Sequence, residues 1–285
     1  MVKIVADSTC DLSKELLEEY DITILPLHII CNDADYLDGL SISPEEIFEW
    51  SEANKTTPKT SAVAPAEAMD KIRPLVEAGH DVICISISDE LSTTGNVMRL
   101  TAQMLNEEAG REQVKVINSA SLSTGIGLLV MEAAVMAMDG MESYKIVEQV
   151  EDLVSKVRAS FVVDTLTYLH RGGRCSGLAA LAGGALKLHP KIVVKNGVLT
   201  VDKKYRGSMK HVLIQYTHEM LEQFMNAKTE RVFITHACCD KAIVDAVREY
   251  VSELGIFDEI IETKAGGVIS SHCGPGTLGV LFLEK

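Results

Sequence analysis

Aromatic residues are scarce in this sequence. Phe, Trp and Tyr make up only 5% of the 285 residues, whereas hydrophobic residues as a whole make up 47%. The interior must therefore be built from aliphatic side chains, alanine and the eleven methionines. Because methionine is flexible and polarisable, such an interior adapts to irregular shapes.

Clusters of basic residues are also missing. The formal net charge is -14 at pH 7, and no run of basic residues offsets it. A surface of this sign repels nucleic acids and anionic membrane surfaces. The sequence therefore predicts no nucleic-acid partner.

No apolar run is long enough to cross a membrane. The most apolar stretch, residues 125–138, is shorter than the ~20 residues that a span requires, and Glu132 interrupts it. This stretch is predicted to be a buried helix. The first residues reach Asp7 without the apolar segment of an ordinary signal peptide. We expect a cytoplasmic protein without stable membrane insertion.

The chain lacks the spacings typical of metal and nucleotide sites. Its seven cysteines are odd in number and include no C-x-x-C pair, which argues against a disulfide framework and a zinc site. The histidines show no metal-type spacing, and there is no P-loop, no complete dinucleotide fingerprint and no G-x-S-x-G elbow. We expect no metal and no cofactor, and the missing elbow weakens a hydrolase interpretation.

Short β-branched runs alternate with helical patterns in the first half, which is typical of an α/β fold with a largely parallel sheet. Three buried strands are predicted, at residues 3–7, 81–88 and 114–119. The helices that follow them are predicted at residues 12–20, 96–110 and 125–138. Since ligands of open α/β sheets lie at the carboxyl ends of the strands, the three loops after these strands should gather at one edge.

The second half has a different pattern, and we place a domain boundary near residue 158. This boundary gives an N-terminal domain over residues 1–158 and a C-terminal domain over residues 159–285. The predicted elements are a helix at 144–158, a strand at 159–165, a glycine-rich loop and small-residue helix at 168–186, a hairpin at 191–207, a strand at 231–237, a helix at 240–254 and two closing strands. Asn196 and Gly197 form the turn dipeptide of the hairpin.

Two loops rich in hydroxyl groups are candidates for anion binding. Ser92 lies in "ELSTTGN", between a predicted strand and a helix, and Thr60 and Ser61 lie just ahead of a helix that starts near Pro65. Hydroxyls and helix N-terminal amides can converge on an anion there. The same hydroxyls could equally serve only as helix caps.

A third candidate is His272, in "SSHCGPGTLGV". Three glycines and a proline surround this histidine, so the stretch is predicted to be a tight loop that leads into a terminal strand. A histidine can supply one more hydrogen-bond donor to a carboxylate, although a histidine in a loop is more often structural.

Taken in order, the motifs resemble those of the DegV family of bacterial fatty-acid-binding proteins. The matching segments cover nearly the whole chain and include "DSTCDL", "YLDG", "KTSAVAP", "ISDELSTTGN", "VDTLTYLHRGGRCSG", "KKYRGSMK" and "SSHCGPGTLGVLF". The resemblance implies a two-domain α/β protein. Its N-terminal domain would be a three-layer α/β/α unit with a parallel sheet, its C-terminal domain would have a mixed sheet, and a fatty acid would lie between them.

The resemblance also implies the residues of the site. Thr60, Ser61, Ser92 and His272 would bind the carboxylate of a long-chain fatty acid. A separate ATP-dependent kinase subunit would convert the acid to an acyl phosphate for phospholipid synthesis, so that this chain would not itself be an enzyme. Arg206 of the "YRG" motif would face that kinase, and Arg174 of "GGR" would support the head-group region.

The sequence departs from the family pattern near Ser92. Thr93 and Gly95 stand where the family usually has glycine and an aromatic residue, which changes the surroundings of the head group. Two enzymatic alternatives stay open. One is a small-molecule enzyme related to the dihydroxyacetone-kinase substrate domain, which would use His272 or His236 and a compact polar cavity. The other is acyl transfer through Ser92 with His272 as its base.

Overall fold

The computed structural model describes residues 1–175 and 188–285. The predicted small-residue helix within residues 168–186 lies mostly outside the described residues. Within them, Thr167–Gly172 forms a short helix.

A four-stranded parallel sheet organises the N-terminal part of the chain. Its strands, in spatial order, are β2 (Ile22–Leu25), β1 (Val2–Asp7), β6 (Asp81–Ser86) and β7 (Val114–Asn118). A 3-10 turn, Ser8–Cys10, follows β1. The three strands predicted from the sequence are all present in this sheet, and they lie side by side.

Helices cover both faces of this sheet, which gives the predicted three-layer arrangement. On one face, Val5, Val82 and Cys84 pack against two helices, and on the other face Ile4 and Ile83 pack against a second group of helices. This alternation follows from the two-residue period of a β-strand. The helices of this part are α1 (Lys14–Glu19), α2 (Pro44–Asn54), α3 (Pro65–Glu77), α4 (Thr94–Ala109), α5 (Thr124–Met138) and α6 (Ser143–Val154).

A small antiparallel sheet adds a further layer. Its strands are β4 (Ala34–Leu37), β3 (His28–Cys31) and β5 (Lys59–Ser61), in that order. Leu27, Ile29 and Ile47 form a separate apolar cluster here with Val268 from the other end of the chain. This cluster joins the small sheet to the C-terminal part.

A six-stranded mixed sheet forms the C-terminal part, as predicted. Its spatial order is β10 (Val198–Arg206), β9 (Leu188–Lys195), β8 (Val157–Val162), β13 (Thr277–Glu284), β11 (Ala227–Ala237) and β12 (Glu259–Lys264). Only the pair β11 and β12 is parallel. The helices of this part are α7 (Thr167–Gly172), α8 (Met209–His218), α9 (Leu221–Phe224), α10 (Lys241–Glu253) and α11 (Gly267–Cys273).

Helix α5 lies between the two large sheets. Most of its side chains are buried, and they share one apolar cluster with residues of both sheets, such as Ile4, Phe161 and Leu281. A helix that is apolar on all sides is one that is covered on all sides. The segment predicted to be a buried helix is therefore the central layer of the molecule.

Two predictions at element boundaries are wrong. The helix predicted at residues 144–158 ends at Val154, and the following strand begins at Val157 because Val157 pairs with Leu283 of the C-terminal strand. The loop predicted around His272 is mostly helix α11, and only the residues after Cys273 form the glycine turn. The domain boundary near residue 158 stays a prediction. The nearest connection is the turn at residues 155–156.

No helix in the described ranges is both long and apolar enough to cross a membrane.

Candidate functional site

The loops after β1, β6 and β7 meet at one edge of the parallel sheet, as expected. Asp7, at the end of β1, accepts a hydrogen bond from the backbone N–H of Ile87 at 2.8 Å. Ser88 donates its backbone N–H to the carbonyl of Ser121 at 2.9 Å. These contacts join the three loops into a single surface that faces the C-terminal part of the molecule.

A cavity of about 460 Å³ lies where this surface meets the C-terminal lobe, by which we mean the six-stranded sheet and its helices. The N-terminal lobe is the rest of the chain. The volume is within the range of small-molecule sites, about 300–1,000 Å³. Aliphatic side chains form much of the wall: Leu27, Ile87, Leu91, Leu122, Leu169, Leu199, Val268 and Ile269. The polar side chains of the wall are those of Thr60, Ser61, Asp89, Glu90, Ser92, Thr93, Arg174 and His272.

Thr60 and His272 bridge the two lobes at this cavity. The hydroxyl Oγ1 of Thr60, on β5, lies 2.8 Å from Nε2 of His272, in the last turn of α11. This distance is that of a hydrogen bond, and the tautomer of the ring decides which atom donates. Two residues that the sequence suggested separately are thus in direct contact.

The ring of His272 is held in an apolar and positively charged environment. Burial, and to a smaller extent the nearby charge of Arg174, lowers its pKa from 6.5 to about 4. Its other nitrogen, Nδ1, is buried and has no hydrogen-bond partner among the described residues. Nδ1 lies against Gly172, where an added Cβ would be only 2.2 Å away. The ring is therefore neutral at pH 7. Its Nδ1 edge lies so close to the backbone of residue 172 that only glycine fits there.

Ser92 and Ser61 both line the cavity. The hydroxyl of Ser92 lies 2.9 Å from Oγ1 of Thr94 and accepts the backbone N–H of Thr94 at 3.2 Å. The N-cap residue of α4 is Thr93, which makes no side-chain cap hydrogen bond. Ser92, one residue earlier, bonds the first N–H group of the helix, and it also lines the cavity. Ser61 is exposed and donates to the carbonyl of Ala62 at 3.2 Å.

The two arginines that the resemblance suggested lie in different places. Arg174 lines the cavity and donates to the carbonyls of Gly172 at 2.8 Å and Leu91 at 3.4 Å. It is thus part of the same wall as His272. Arg206 is exposed at the end of β10 and does not line the cavity.

Of the three buried aspartates near this site, Asp7, Asp11 and Asp38, the last two hold the helix that carries His272. Asp11 accepts the backbone N–H of Gly266 at 2.8 Å, and Asp38 accepts that of Gly267 at 2.7 Å. Asp38 also accepts the hydroxyl of Ser8 at 2.7 Å. The start of α11 is therefore fixed by carboxylates from the N-terminal lobe. The sequence motifs contained these aspartates, but their role depends on contacts between distant segments.

Burial raises the pKa of all three carboxyl groups. The pKa of Asp7 is raised to about 6, because burial outweighs its hydrogen bonds from Thr9 and Ile87. Burial likewise raises the pKa of Asp11 and of Asp38. The mutual repulsion of the three negative charges adds to the effect on Asp7 and Asp11.

The side-chain contacts give little support to the enzymatic alternatives. His236 is buried outside the cavity wall, where its ring lies 3.6 Å from the carboxylate of Glu262. Acyl transfer would need a hydrogen bond between Ser92 and His272, whereas Ser92 contacts Thr94 and His272 contacts Thr60. Within residues 1–175 and 188–285, no group of three His, Cys, Asp or Glu side chains is placed to hold a metal ion.

Sequence reasoning missed the aliphatic part of the C-terminal contribution to the wall. Leu199, on the β9–β10 hairpin, lines the cavity together with Val268 and Ile269 of α11. The turn at Asn196 and Gly197 marked the hairpin correctly, with φ of 52° and 79°. No local signal showed that the hairpin would reach the N-terminal lobe.

Comparison with known proteins gives a match over the full length. The family model for DegV, described as a family of uncharacterised proteins, matches residues 1–285. A solved DegV family protein from Thermus thermophilus, described as fatty-acid binding, is 29% identical, with a TM-score of 0.89 and coverage of 100% of this chain and 99% of that one. A stearic-acid-binding protein from Eubacterium ventriosum is 28% identical, with a TM-score of 0.87 and coverage of 100% and 99%.

A more distant structure shares the fold. The fatty acid kinase B3 protein of Streptococcus pneumoniae, solved with linoleic acid, is 20% identical to this chain, with a TM-score of 0.85 and coverage of 100% of both chains.

Proposed function

Because the chain belongs to the DegV family, we propose that it binds a long-chain fatty acid in the cavity between its lobes and presents the carboxylate to a separate ATP-dependent kinase. The observation that carries this proposal is the division of the cavity wall. Aliphatic side chains form much of it, and hydroxyl groups, a neutral imidazole and one guanidinium form most of the rest. The carboxylates of Asp89 and Glu90 also line the cavity, and that of Asp89 is paired with Arg99 at 2.9 Å. Such a wall suits a ligand with a long apolar tail and one anionic group.

The tail supplies most of the affinity in this proposal. Burial of each methylene contributes about 0.8 kcal/mol. A chain of some fifteen methylenes therefore contributes on the order of 10 kcal/mol before the cost of ordering is subtracted. The polar groups then have to orient the carboxylate and to replace the water that it loses.

The head-group contacts follow from the positions of the side chains. Thr60, Ser61, Ser92 and His272 would bind the carboxylate, since all four line one cavity and can offer a proton. Arg174 lies in the same wall and supplies a positive charge. An uncharged donor set is easier to bury than an ionised one, which favours hydroxyls here over additional arginines.

In the proposed division of labour, this chain contributes no catalytic group. The kinase would supply ATP and the phosphoryl-transfer machinery, and Arg206 on the exposed end of β10 would contact it. The likeness in fold to a fatty acid kinase B protein supports such a partner. A cytoplasmic location, where ATP and the kinase would be found, belongs to the same proposal.

The first test is the lipid content of the purified protein. Chain produced in bacteria should release about one long-chain fatty acid per molecule when it is denatured and extracted, as measured by mass spectrometry. Chain that carries no lipid and takes up none from added stearate would overturn the proposal.

The second test separates binding from presentation. His272→Ala and Ser92→Ala should weaken stearate binding and slow its phosphorylation by a fatty acid kinase. Arg206→Ala should slow phosphorylation and leave binding unchanged. Thr229→Ala, at an exposed threonine outside the cavity wall, serves as the control. If both His272→Ala and Ser92→Ala bind stearate and support its phosphorylation as wild type does, these residues are not part of the site.

A further inference from the structure

The β9–β10 hairpin of the C-terminal lobe ends on the N-terminal lobe. Gly197, in the turn of the hairpin, is buried there, and its carbonyl accepts a hydrogen bond from the hydroxyl of Ser88 at 2.8 Å. Ser88 follows β6 and is completely buried. The hairpin tip is therefore bound to the loop that follows the central strand of the parallel sheet.

Ser88 also shapes the loop that carries Ser92. Its hydroxyl accepts the backbone N–H of Glu90 at 3.2 Å. Its carbonyl accepts the backbone N–H groups of Leu91 at 2.9 Å and of Ser92 at 3.1 Å. A single buried residue thus holds both the hairpin tip and the turn that presents a proposed head-group ligand.

The hairpin tip in turn places part of the cavity wall. Leu199, two residues after Gly197, is buried and lines the cavity. Its carbonyl accepts a hydrogen bond from the thiol of Cys175 at 3.4 Å. Because Leu199 follows so closely on the turn, its position depends on the contact between Gly197 and Ser88.

We propose that Ser88 is a positioning residue that fixes the β9–β10 hairpin as a wall of the cavity and so slows release of the ligand. This inference rests on the proposed function for its ligand, but its structural part does not. The hairpin should be loosened by loss of the Ser88 hydroxyl whether or not a ligand is bound.

The geometry at Gly197 allows a selective test. A Cβ added at residue 197 would lie 2.5 Å from the hydroxyl oxygen of Ser88, which is too close, but 3.7 Å from its Cβ, which is an ordinary contact. Gly197 has φ of 79°, so alanine there also strains the backbone. Gly79 serves as the control. Its φ is 82° and a Cβ added there would have no atom within 4 Å, so Gly79→Ala introduces the same kind of backbone strain without a steric clash.

The test measures release of the fluorescent fatty acid cis-parinaric acid, displaced by excess oleate in a stopped-flow instrument. Ser88→Ala should raise the dissociation rate roughly fivefold to tenfold, as expected for the loss of one buried hydrogen bond. Gly197→Ala should raise it similarly, and Gly79→Ala should leave it unchanged. In the Ser88→Ala background, Gly197→Ala should raise the dissociation rate much less than it does in wild type, because the hydroxyl oxygen that clashes with the added methyl group is absent.

A second measurement is independent of the ligand. Hydrogen exchange of the amides at residues 196–200 in lipid-free protein should be faster in Ser88→Ala than in wild type, and unchanged in Gly79→Ala. Ser88→Cys, which keeps the shape of the side chain with a weaker donor, should be intermediate in both measurements. It also provides the test if the alanine variant does not fold.

The outcomes separate this inference from the proposed function. If wild type binds cis-parinaric acid but Ser88→Ala releases it at the wild-type rate and exchanges normally, the inference is wrong and the proposed function stands. If wild type binds no fatty acid but Ser88→Ala exchanges faster at the hairpin, the proposed function fails and the positioning role of Ser88 is supported.

Discussion

His272 combines a desolvated ring with a single polar contact among the described residues. Its Nε2 faces Thr60, its Nδ1 faces Gly172, and Arg174 lies nearby. An imidazole in this position is a neutral hydrogen-bonding group at physiological pH. In the proposed function, it would orient a carboxylate by one hydrogen bond, and the charge of Arg174 would provide the long-range attraction.

The ionisation of His272 can be followed directly. Because burial and Arg174 lower its pKa to about 4, its imidazole NMR signals should remain those of a neutral ring from pH 7 down to nearly pH 4. Arg174→Gln should raise this pKa, since it removes the neighbouring positive charge. His272→Gln identifies the signals, and a ring that titrates near 6.5 in wild type would contradict the arrangement described above.

The same shift makes stability depend on pH. In the unfolded chain, His272 takes up a proton near pH 6.5, whereas in the folded chain it does so only near pH 4. Its contribution is therefore fully present above pH 6.5 and is lost as the pH falls toward 4, by on the order of 3 kcal/mol. In urea titrations, the free energy of unfolding should decrease less from pH 7 to pH 5 in His272→Gln than in wild type.

Asp7 should act in the opposite direction. Its pKa in the folded protein is about 6, above its usual value of 3.8, so its stabilising contribution is present below pH 4 and is lost as the pH rises through 6. The full shift corresponds to on the order of 3 kcal/mol. The difference in unfolding free energy between wild type and Asp7→Asn should become smaller from pH 4.5 to pH 7, and a difference independent of pH would contradict the raised pKa.

Helices α7 and α11 pack closely because Gly172 has no side chain. The Cα of Gly172 lies against the ring of His272, so α7 can approach the last turn of α11. The conformation of Gly172 is not left-handed, and its replacement therefore tests proximity alone. The neighbouring Gly173 is the opposite case. Its φ of 69° is left-handed, but a Cβ added there would have no atom within 4 Å.

Gly172→Ala should therefore damage the site and Gly173→Ala should not. An added methyl group at residue 172 would displace the ring from Thr60, and we expect fatty-acid affinity to fall by about tenfold or more, as for a lost hydrogen bond and a shifted wall. Gly173→Ala should lower the stability by about 1 kcal/mol through backbone strain, with little effect on affinity. Equal affinities of the two variants, measured with cis-parinaric acid, would show that the ring is not held by this contact.

Some elements can be predicted from the local sequence and others cannot. The β9–β10 hairpin follows from Asn196 and Gly197, and helix α4 from its long periodic pattern. Helix α11 was predicted as a loop because its seven residues are too few to show a period, and glycines lie on both sides of it. Its first N–H groups bind Asp11 and Asp38, which are more than 200 residues away in the chain. Local propensity carries no information about such contacts.

The two lobes are joined by charged residues as well as by the apolar helix α5. Glu132, on α5, accepts a hydrogen bond from Arg231 on β11 at 3.0 Å, and Lys228 lies 3.4 Å away. The side chains of Glu132 and Arg231 are only 17% and 12% exposed. Glu132, which interrupts the apolar stretch in the sequence, therefore ties α5 to the C-terminal sheet, as does the hydrogen bond of 2.6 Å between the hydroxyls of Thr124 and Thr235.

Loss of one partner of this pair should be costly. Arg231→Met should lower the free energy of unfolding by about 3 kcal/mol, because it leaves a nearly buried carboxylate without its closest partner. The double replacement of Glu132→Leu with Arg231→Met should recover much of this loss. Arg73→Met, in the exposed pair with Glu108, should lower the free energy of unfolding much less in the same urea titrations, because solvent screens that pair. Equal losses in the two single variants would contradict the distinction.

The arrangement of the whole molecule was predictable in part. The three N-terminal strands and their parallel sheet follow from the sequence patterns, whereas the three-layer arrangement and the mixed C-terminal sheet follow from the family resemblance. The cavity wall combines Thr60, Ser92, Arg174 and His272 from four separate segments, and the family resemblance, not spacing, connected these residues in advance. Packing between distant segments brings the residues of such a site together, and no single stretch of sequence predicts this packing.

The bond between Thr60 and His272 would affect the exchange of the proposed cargo. A carboxylate that accepts a hydrogen bond from either group would replace a contact that the protein already makes, so the net gain from docking the head group would be smaller than the strength of the new bond alone. When the acid departs, the two side chains can rejoin, and neither is left without its partner. In the proposed carrier, the polar end would therefore be released readily, while the fit of the hydrocarbon chain would set how long the cargo stays.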